Sequence, residues 1–209
     1  MKLPPWAVGP YELLRHGDLH LREGGDADLR IALISFDNAI ELAVSTYLDL
    51  NPKQRGGLSF PREDMQRWLT NFHTRLEFLE HLVVNVNKRQ MAHDPLAMVF
   101  YHGLRNKIYH QLGALLPRAQ HVAEAREAAV WVFSTLFGVD ANAILAAEAE
   151  GAPVETPITD KLPPETDLIA LYLELKREVA DVRAASRRSI DHEGGRAQAA
   201  GYARYRRVA

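Results

Sequence analysis

Apolar residues recur every three or four positions through most of the first 150 residues, and no stretch alternates apolar and polar residues as a strand does. This spacing is typical of helices that bury one face. Gly and Pro residues interrupt it at the points where helices should end. The pattern predicts an all-α fold, an up-and-down helical bundle, with helices over residues 10–22, 26–50, 62–86, 96–116, 118–137 and 140–149.

The chain changes in composition after residue 150. Residues 151–164 are rich in Pro and Thr and predict a linker, whereas 165–192 predict a C-terminal helix with an apolar stripe from Leu168 to Val182. That stripe needs a partner, either the bundle or a second subunit. Residues 193–209 predict a flexible basic tail, so we divide the chain into a bundle (1–150), a linker, a helix and a tail.

The C-terminal region carries a local excess of positive charge. From Asp181 to Ala209 there are seven arginines and three acidic residues. A flexible tail of Arg and Tyr can hold RNA through phosphate contacts and base stacking, and the alternative is a disordered, solubilising terminus. The arginines that we expect to contact RNA are Arg183, Arg187, Arg188, Arg204, Arg206 and Arg207.

The segment R-N-K-I-Y-H, residues 105–110, lies within the predicted helix 96–116. At 100° per residue, the apolar side chains of this helix gather on one side and a set of polar ones on the other. We expect the polar side to face away from the core. The apolar side contains Leu96, Phe100, Leu104, Ile108, Leu112 and Leu115, and the other contains His102, Arg105, Asn106, Tyr109, His110 and Gly113.

Three of these residues suit the cleavage of a phosphodiester. The guanidinium of Arg105 can bind a phosphate through two hydrogen bonds, and His110 can move protons near neutral pH. The amide of Asn106 can orient either of them. The alternative is a solvated helix face, because Arg and His occur at this spacing by chance.

The string R-N-K-I-Y-H resembles the R-x4-6-H motif of the HEPN superfamily, small helical bundles that include many RNA-cleaving toxins and defence nucleases. The resemblance covers roughly residues 10–140. It implies a metal-independent endoribonuclease without a cofactor, with catalytic Arg105, Asn106 and His110 in a cleft between two identical subunits. Family toxins that are modified by an antitoxin have Tyr two residues after the His, where this chain has Leu112, which argues against that route of regulation.

Two more residues on the polar side are candidates for supporting roles. His102 could carry a second proton or contact RNA, and its alternative is a surface residue. Tyr109 could stack on a base or line a dimer contact, and its alternative is plain packing.

The second predicted helix contributes acidic candidates. HEPN domains often place an acidic or polar residue on an early helix near the Arg, so Asp37 or Glu41 is expected to pair with Arg105 and fix its orientation. Asn38 is a weaker choice. The alternative is an exposed polar edge of the helix.

Metal binding is the competing chemistry. His16 and His20 are four residues apart with Asp18 between them, which places both imidazoles on one helix face as a zinc pair requires. No third ligand follows at a recognisable spacing, and the chain has no cysteine. We therefore predict no metal site.

The net charge and the lengths of the apolar runs limit the functions that the chain can have. The net charge of −2 gives no overall attraction to nucleic acid, so RNA binding must come from a local patch. No apolar run approaches the ~20 residues of a membrane span, and the start lacks the apolar region of a signal peptide, so we expect a cytoplasmic protein that does not contact a membrane.

These observations favour an endoribonuclease of a toxin or defence system that acts on RNA as a homodimer and has an antitoxin or regulatory protein as a partner. One alternative is a non-catalytic HEPN-type module that binds RNA, a nucleotide or a partner protein. Another is a helical scaffold without a site.

Overall fold

The computed structural model describes residues 3–110 and 116–150, and at His110 only the backbone. All regular structure in these ranges is helical, which confirms the predicted fold class. A short 3-10 turn precedes seven α-helices: α1 (Val8–Glu23), α2 (Asp26–Asp49), α3 (Arg62–Trp68), α4 (Phe72–Glu80), α5 (Pro95–His110), α6 (Ala119–Phe137) and α7 (Ala141–Ala149). The predicted linker, C-terminal helix and basic tail lie outside the described residues.

Most helix ends occur where the breakers in the sequence predict them. Both α1 and α6 end at a glycine in the left-handed conformation, Gly24 with φ 70° and Gly138 with φ 66°. Only glycine adopts this conformation at little cost, and it satisfies the last carbonyl groups of a helix. The side chain of Asp140 accepts a hydrogen bond from the amide of Ala143 and so caps α7.

The single helix predicted over 62–86 is wrong, because the chain turns between α3 and α4. Asn71 begins α4 with a reciprocal cap: its side chain accepts from the amide of Thr74, while the Thr74 hydroxyl accepts from the amide of Asn71, both at 3.1 Å. These local hydrogen bonds replace those of a continuous helix. Beyond α4 the chain continues as a π-helical segment, His81–Val86.

Helix α2 is the centre of the described bundle and packs against α1, α4, α5 and α6. Phe36 and Leu33 on α2 are fully buried, as is Leu14 on α1. The rings of Tyr11 and Phe133 bring α1 and α6 together, with centroids 6.0 Å apart. Removing these apolar surfaces from water stabilises the fold.

Helix α5 joins the bundle on α2, α4 and α6. One link to α6 is the Tyr101 hydroxyl, which donates to Glu124 Oε2 at 2.6 Å. Burial and the charge of Glu124 raise the pKa of Tyr101 to about 12. The hydroxyl therefore stays protonated and donates throughout the physiological pH range.

Among the described helices, α2 is long and apolar enough by composition to cross a membrane. Helices α6 and α7 are long and apolar enough only if they are taken together as one span, and the two are bent by 118° relative to each other. The sequence expectation that no apolar stretch approaches this length overlooked α2. In the bundle, 61% of the 18-residue apolar stretch of α2 is buried, as in the core helix of a globular protein.

Two helical glycines should respond in opposite ways to alanine. A Cβ on Gly17 would lie 2.6 Å from the ring of Phe36, which is fully buried, whereas a Cβ on Gly103 meets nothing within 4 Å. We expect Gly17→Ala to destabilise the protein by about 1 kcal/mol, since overpacking outweighs the gain in helix propensity. Gly103→Ala should stabilise it by about 0.5–1 kcal/mol. Urea denaturation midpoints check both, and shifts of the same sign would contradict the packing argument.

Candidate functional site

His102 and Arg105 on the polar side of α5 face α2, so the expectation that this side points away from the core is wrong for them. Leu104 and Ile108 of the apolar side do pack against the core, as expected. Leu96 is 76% exposed and Phe100 50% exposed, although both were expected in the core. The side chains of His102 and Arg105 are only 19% and 21% exposed. The physical reason is that α2 presents polar groups at this contact, and ion pairs and hydrogen bonds with them replace the hydration that α5 loses.

Arg105 is held by side chains from both helices. Its Nε lies 3.3 Å from Oδ2 of Asp37, the ion pair expected from the sequence. Nη2 donates to Oδ1 of Asn38 at 2.7 Å, and Nη1 donates to Oδ1 of Asn106 at 2.9 Å. The buried Nε–H has no well-aligned hydrogen-bond acceptor among the described residues. Asn38, the weaker choice in the sequence, therefore makes the shortest contact to the guanidinium.

His102 and Asp37 form a second polar contact between α5 and α2. Nδ1 of His102 lies 3.0 Å from each carboxylate oxygen of Asp37, whose side chain is 2% exposed. A carboxylate only accepts hydrogen bonds, so Nδ1 carries the proton and, in the neutral ring, Nε2 is the basic nitrogen. The ring stacks on Phe72 of α4 at 4.0 Å. His102 is thus a partly buried, oriented imidazole rather than a surface residue.

Glu41 pairs with Arg75 of α4 rather than with Arg105. Its Oε2 lies 3.4 Å from Nη1 of Arg75, and its Oε1 lies 3.8 Å from Nδ1 of His102. The sequence carried no signal for Arg75, because α4 approaches α2 only in the folded bundle. Glu41 therefore borders the cluster and balances a different cation.

Tyr109 covers the outer side of Arg105. Its ring centroid lies 4.8 Å from the guanidinium carbon, a distance at which a cation is attracted to a ring face. The residue is 55% exposed, so it does not pack in the core. A ring in this position is available to a base or to a second subunit.

His110 is the last described residue of α5, and its side chain lies outside the described residues, as do Leu112 and Gly113. At a rise of about 1.5 Å per residue, its Cα is roughly 7.5 Å along the helix from that of Arg105 and roughly 12 Å from that of His102. The guanidinium therefore lies between two histidines along α5.

In the structure, two of the three residues considered for metal binding contact other side chains. Of the residues considered in the sequence, Asp18 is buried and pairs with Arg22 and Arg126. Nδ1 of His16 lies 2.9 Å from the Ser35 hydroxyl. His20 is different, because its imidazole meets two carboxylates at the turn between α1 and α2.

A second group of metal-binding side chains is Asp37, Glu41 and His102, whose ligand atoms lie within 4.8 Å of one another. Its two carboxylates already face Arg105 and Arg75, at 3.3 and 3.4 Å. Two guanidinium groups at this distance compete with a metal ion for the same charge. The arrangement is better described as an ion-pair network.

The site and fold together define a helical bundle with an Asp–His–Arg cluster between two core helices. Comparison of the chain with protein-family models, with curated proteins and with solved structures finds no match.

Proposed function

We propose that the chain is a metal-independent endoribonuclease of the HEPN type, in which Arg105, Asn106 and His110 act on the scissile phosphate. The observation that carries the proposal is the fixed guanidinium of Arg105. Each Nη makes one hydrogen bond to an Asn side chain, which leaves one hydrogen on each among the contacts of the described residues. These two hydrogens can donate to phosphate oxygens.

A guanidinium held in place before the reaction favours catalysis. Negative charge accumulates on the non-bridging oxygens as the 2′-oxygen attacks phosphorus, and a fixed cation stabilises it without reorganising. Asp37 and Asn38 supply that fixation from the buried face of α2. Asp37 also orients His102, so one carboxylate positions two groups of the site.

Cleavage requires two proton transfers, one from the 2′-hydroxyl and one to the 5′-oxygen. Neutral His110 removes the proton from the 2′-hydroxyl, the 2′-oxygen bonds to phosphorus, and the bond to the 5′-oxygen breaks as that oxygen receives a proton from an acid. One imidazole cannot be base and acid at once. Because His102 is roughly 12 Å away along the same helix, we assign the second proton carrier to His110 of a second copy in a homodimer.

The products should identify the mechanism. We expect cleavage of RNA to persist in EDTA and to leave a 2′,3′-cyclic phosphate and a 5′-hydroxyl, since the nucleophile is the 2′-oxygen and no metal-bound water takes part. Mass spectrometry of the fragments from a short labelled RNA tests this. A matched substrate with one 2′-deoxy sugar at the cleavage position should resist. A 5′-phosphate product, or loss of cleavage in EDTA, would exclude the mechanism.

The proposal extends to a biological role as a toxin or defence nuclease acting on RNA in the cytoplasm. The arginines between residues 183 and 207 would add phosphate contacts. An antitoxin or regulatory protein would restrain the activity. Expression of the chain alone should then slow growth, and His110→Ala should relieve the effect.

One observation favours a second candidate, a non-catalytic module that binds RNA, a nucleotide or a partner protein. Asp37 already neutralises the charge of Arg105, as in a structural ion pair. Such a module would retain RNA without cleaving it, and His110→Ala would leave both binding and growth unchanged. The cleavage assay therefore separates the two candidates.

A further inference from the structure

The end of the helical hairpin formed by α1 and α2 gathers one imidazole and two carboxylates. Nδ1 of His20 lies 2.7 Å from Oδ1 of Asp28 and 3.4 Å from Oε2 of Glu23. The ligand atoms of the three side chains all lie within 4.8 Å of one another. One nitrogen and two oxygens at this separation match a set of ligands for a single metal ion.

The local fold explains why these residues meet. His20 and Glu23 are one turn apart on the last turn of α1, and the left-handed Gly24 ends that helix. Asp28 lies in the first turn of α2. A Cβ on Gly25 would lie 2.7 Å from Oδ2 of Asp28, so a larger residue would displace this carboxylate. The hydrogen bond between Nδ1 of His20 and Oδ1 of Asp28 joins the two side chains across this turn.

We propose that His20, Glu23 and Asp28 bind a divalent transition-metal ion, with zinc the best fit. The two carboxylates offset the charge of the ion, and imidazole is a preferred zinc ligand. Ligand atoms around tetrahedral zinc lie about 3.3 Å apart at bond lengths near 2.0 Å. The His20–Asp28 contact therefore has to open by about half an ångström, and Nδ1 of His20 releases to solvent the proton that it shares with Asp28 when the ion binds.

The surroundings favour an ion at this place. The side chains of His20 and Asp28 are 19% and 25% exposed, and that of Glu23 is 52% exposed. An ion can reach the site from solvent, and water can complete its coordination.

The site is separate from the proposed nuclease site. Asp28 and Asp37 are nine residues apart on α2, roughly 13.5 Å along the helix. An ion bound between α1 and α2 would fasten the hairpin and stabilise the fold, because it binds only the folded arrangement. The proposal therefore stands independently of whether the chain cleaves RNA.

The test uses the full chain purified without a histidine tag. Zn²⁺ titration by calorimetry should show one ion per chain, Co²⁺ should give a visible absorption band, and Zn²⁺ should raise the melting temperature. His20→Gln and Asp28→Asn should each weaken binding at least tenfold and abolish the thermal shift. Circular dichroism of each variant without metal checks that it folds.

Two matched variants locate the ion. His121→Gln, on α6, should bind as the unmodified chain does, and so should His102→Gln. Loss of binding in His102→Gln alone would move the ion to the Asp37 cluster and overturn the assignment. Unchanged binding in folded His20→Gln, or no saturable binding below millimolar Zn²⁺, would also overturn it. Cleavage by His20→Gln in EDTA reports on the nuclease proposal separately.

Discussion

His110→Ala should lower the rate of RNA cleavage by about 10²–10⁴-fold, the range that a positioned general acid–base group contributes. The alanine cannot take the proton from the 2′-hydroxyl, whereas Arg105 can still bind the phosphate. The loss should therefore appear in the single-turnover rate at saturating enzyme and much less in RNA affinity. A filter-binding assay under the same conditions measures that affinity.

His73→Ala is the matched control for this variant. His73 is an exposed histidine on α4, so its removal should leave cleavage unchanged. Thermal melting of both variants distinguishes lost chemistry from lost folding. Cleavage by a folded His110→Ala protein at the unmodified rate would refute the assigned role.

Asp37→Ala should destabilise the protein by about 3 kcal/mol, near the lower end of the range for breaking a buried ion pair. The carboxylate is 2% exposed and is the charged partner of Arg105 as well as the acceptor for His102. Its loss leaves a guanidinium in the bundle without its counter-charge. The lower end is expected because Arg105 retains 21% exposure to water. Urea denaturation gives the free energy of unfolding.

Asp64→Ala is the matched control for an exposed pair. Asp64 lies 3.7 Å from Arg67, and both side chains are more than 40% exposed, so this change should cost less than about 1 kcal/mol. Adding Arg105→Met to Asp37→Ala removes the unpaired charge and should recover part of the stability. Equal losses of unfolding free energy for Asp37→Ala and Asp64→Ala would show that the buried cluster stabilises the fold no more than an exposed ion pair does.

The boundaries of most helices follow from the sequence because their causes are local. A glycine such as Gly24 or Gly138 ends a helix through its own backbone freedom, and the capping side chain of Asp140 reaches an amide three residues away. The break at Asn71 has a cause of the same kind, although the apolar periodicity conceals it. Such features need no knowledge of the rest of the fold.

The orientation of α5 could not be derived in this way. Apolar spacing predicts which side chains share a face, but whether that face is buried depends on what the neighbouring helix offers. Asp37 and His102 are 65 residues apart in the sequence and meet only because α5 packs on a polar section of α2. Of the apolar side of α5, Leu104 and Ile108 therefore pack against the core, whereas Leu96 and Phe100 are exposed.

The sequence alone determined the helical class, most helix ends and the placing of Arg105, Asn106 and His110 on one helix, since each depends on residues within a few positions. Only the tertiary structure decided that Asp37 and Asn38 hold Arg105, and that Asp28 completes a cluster with His20. The physical reason is that hydrogen bonds and ion pairs act over about 3 Å in space, whatever the distance along the chain.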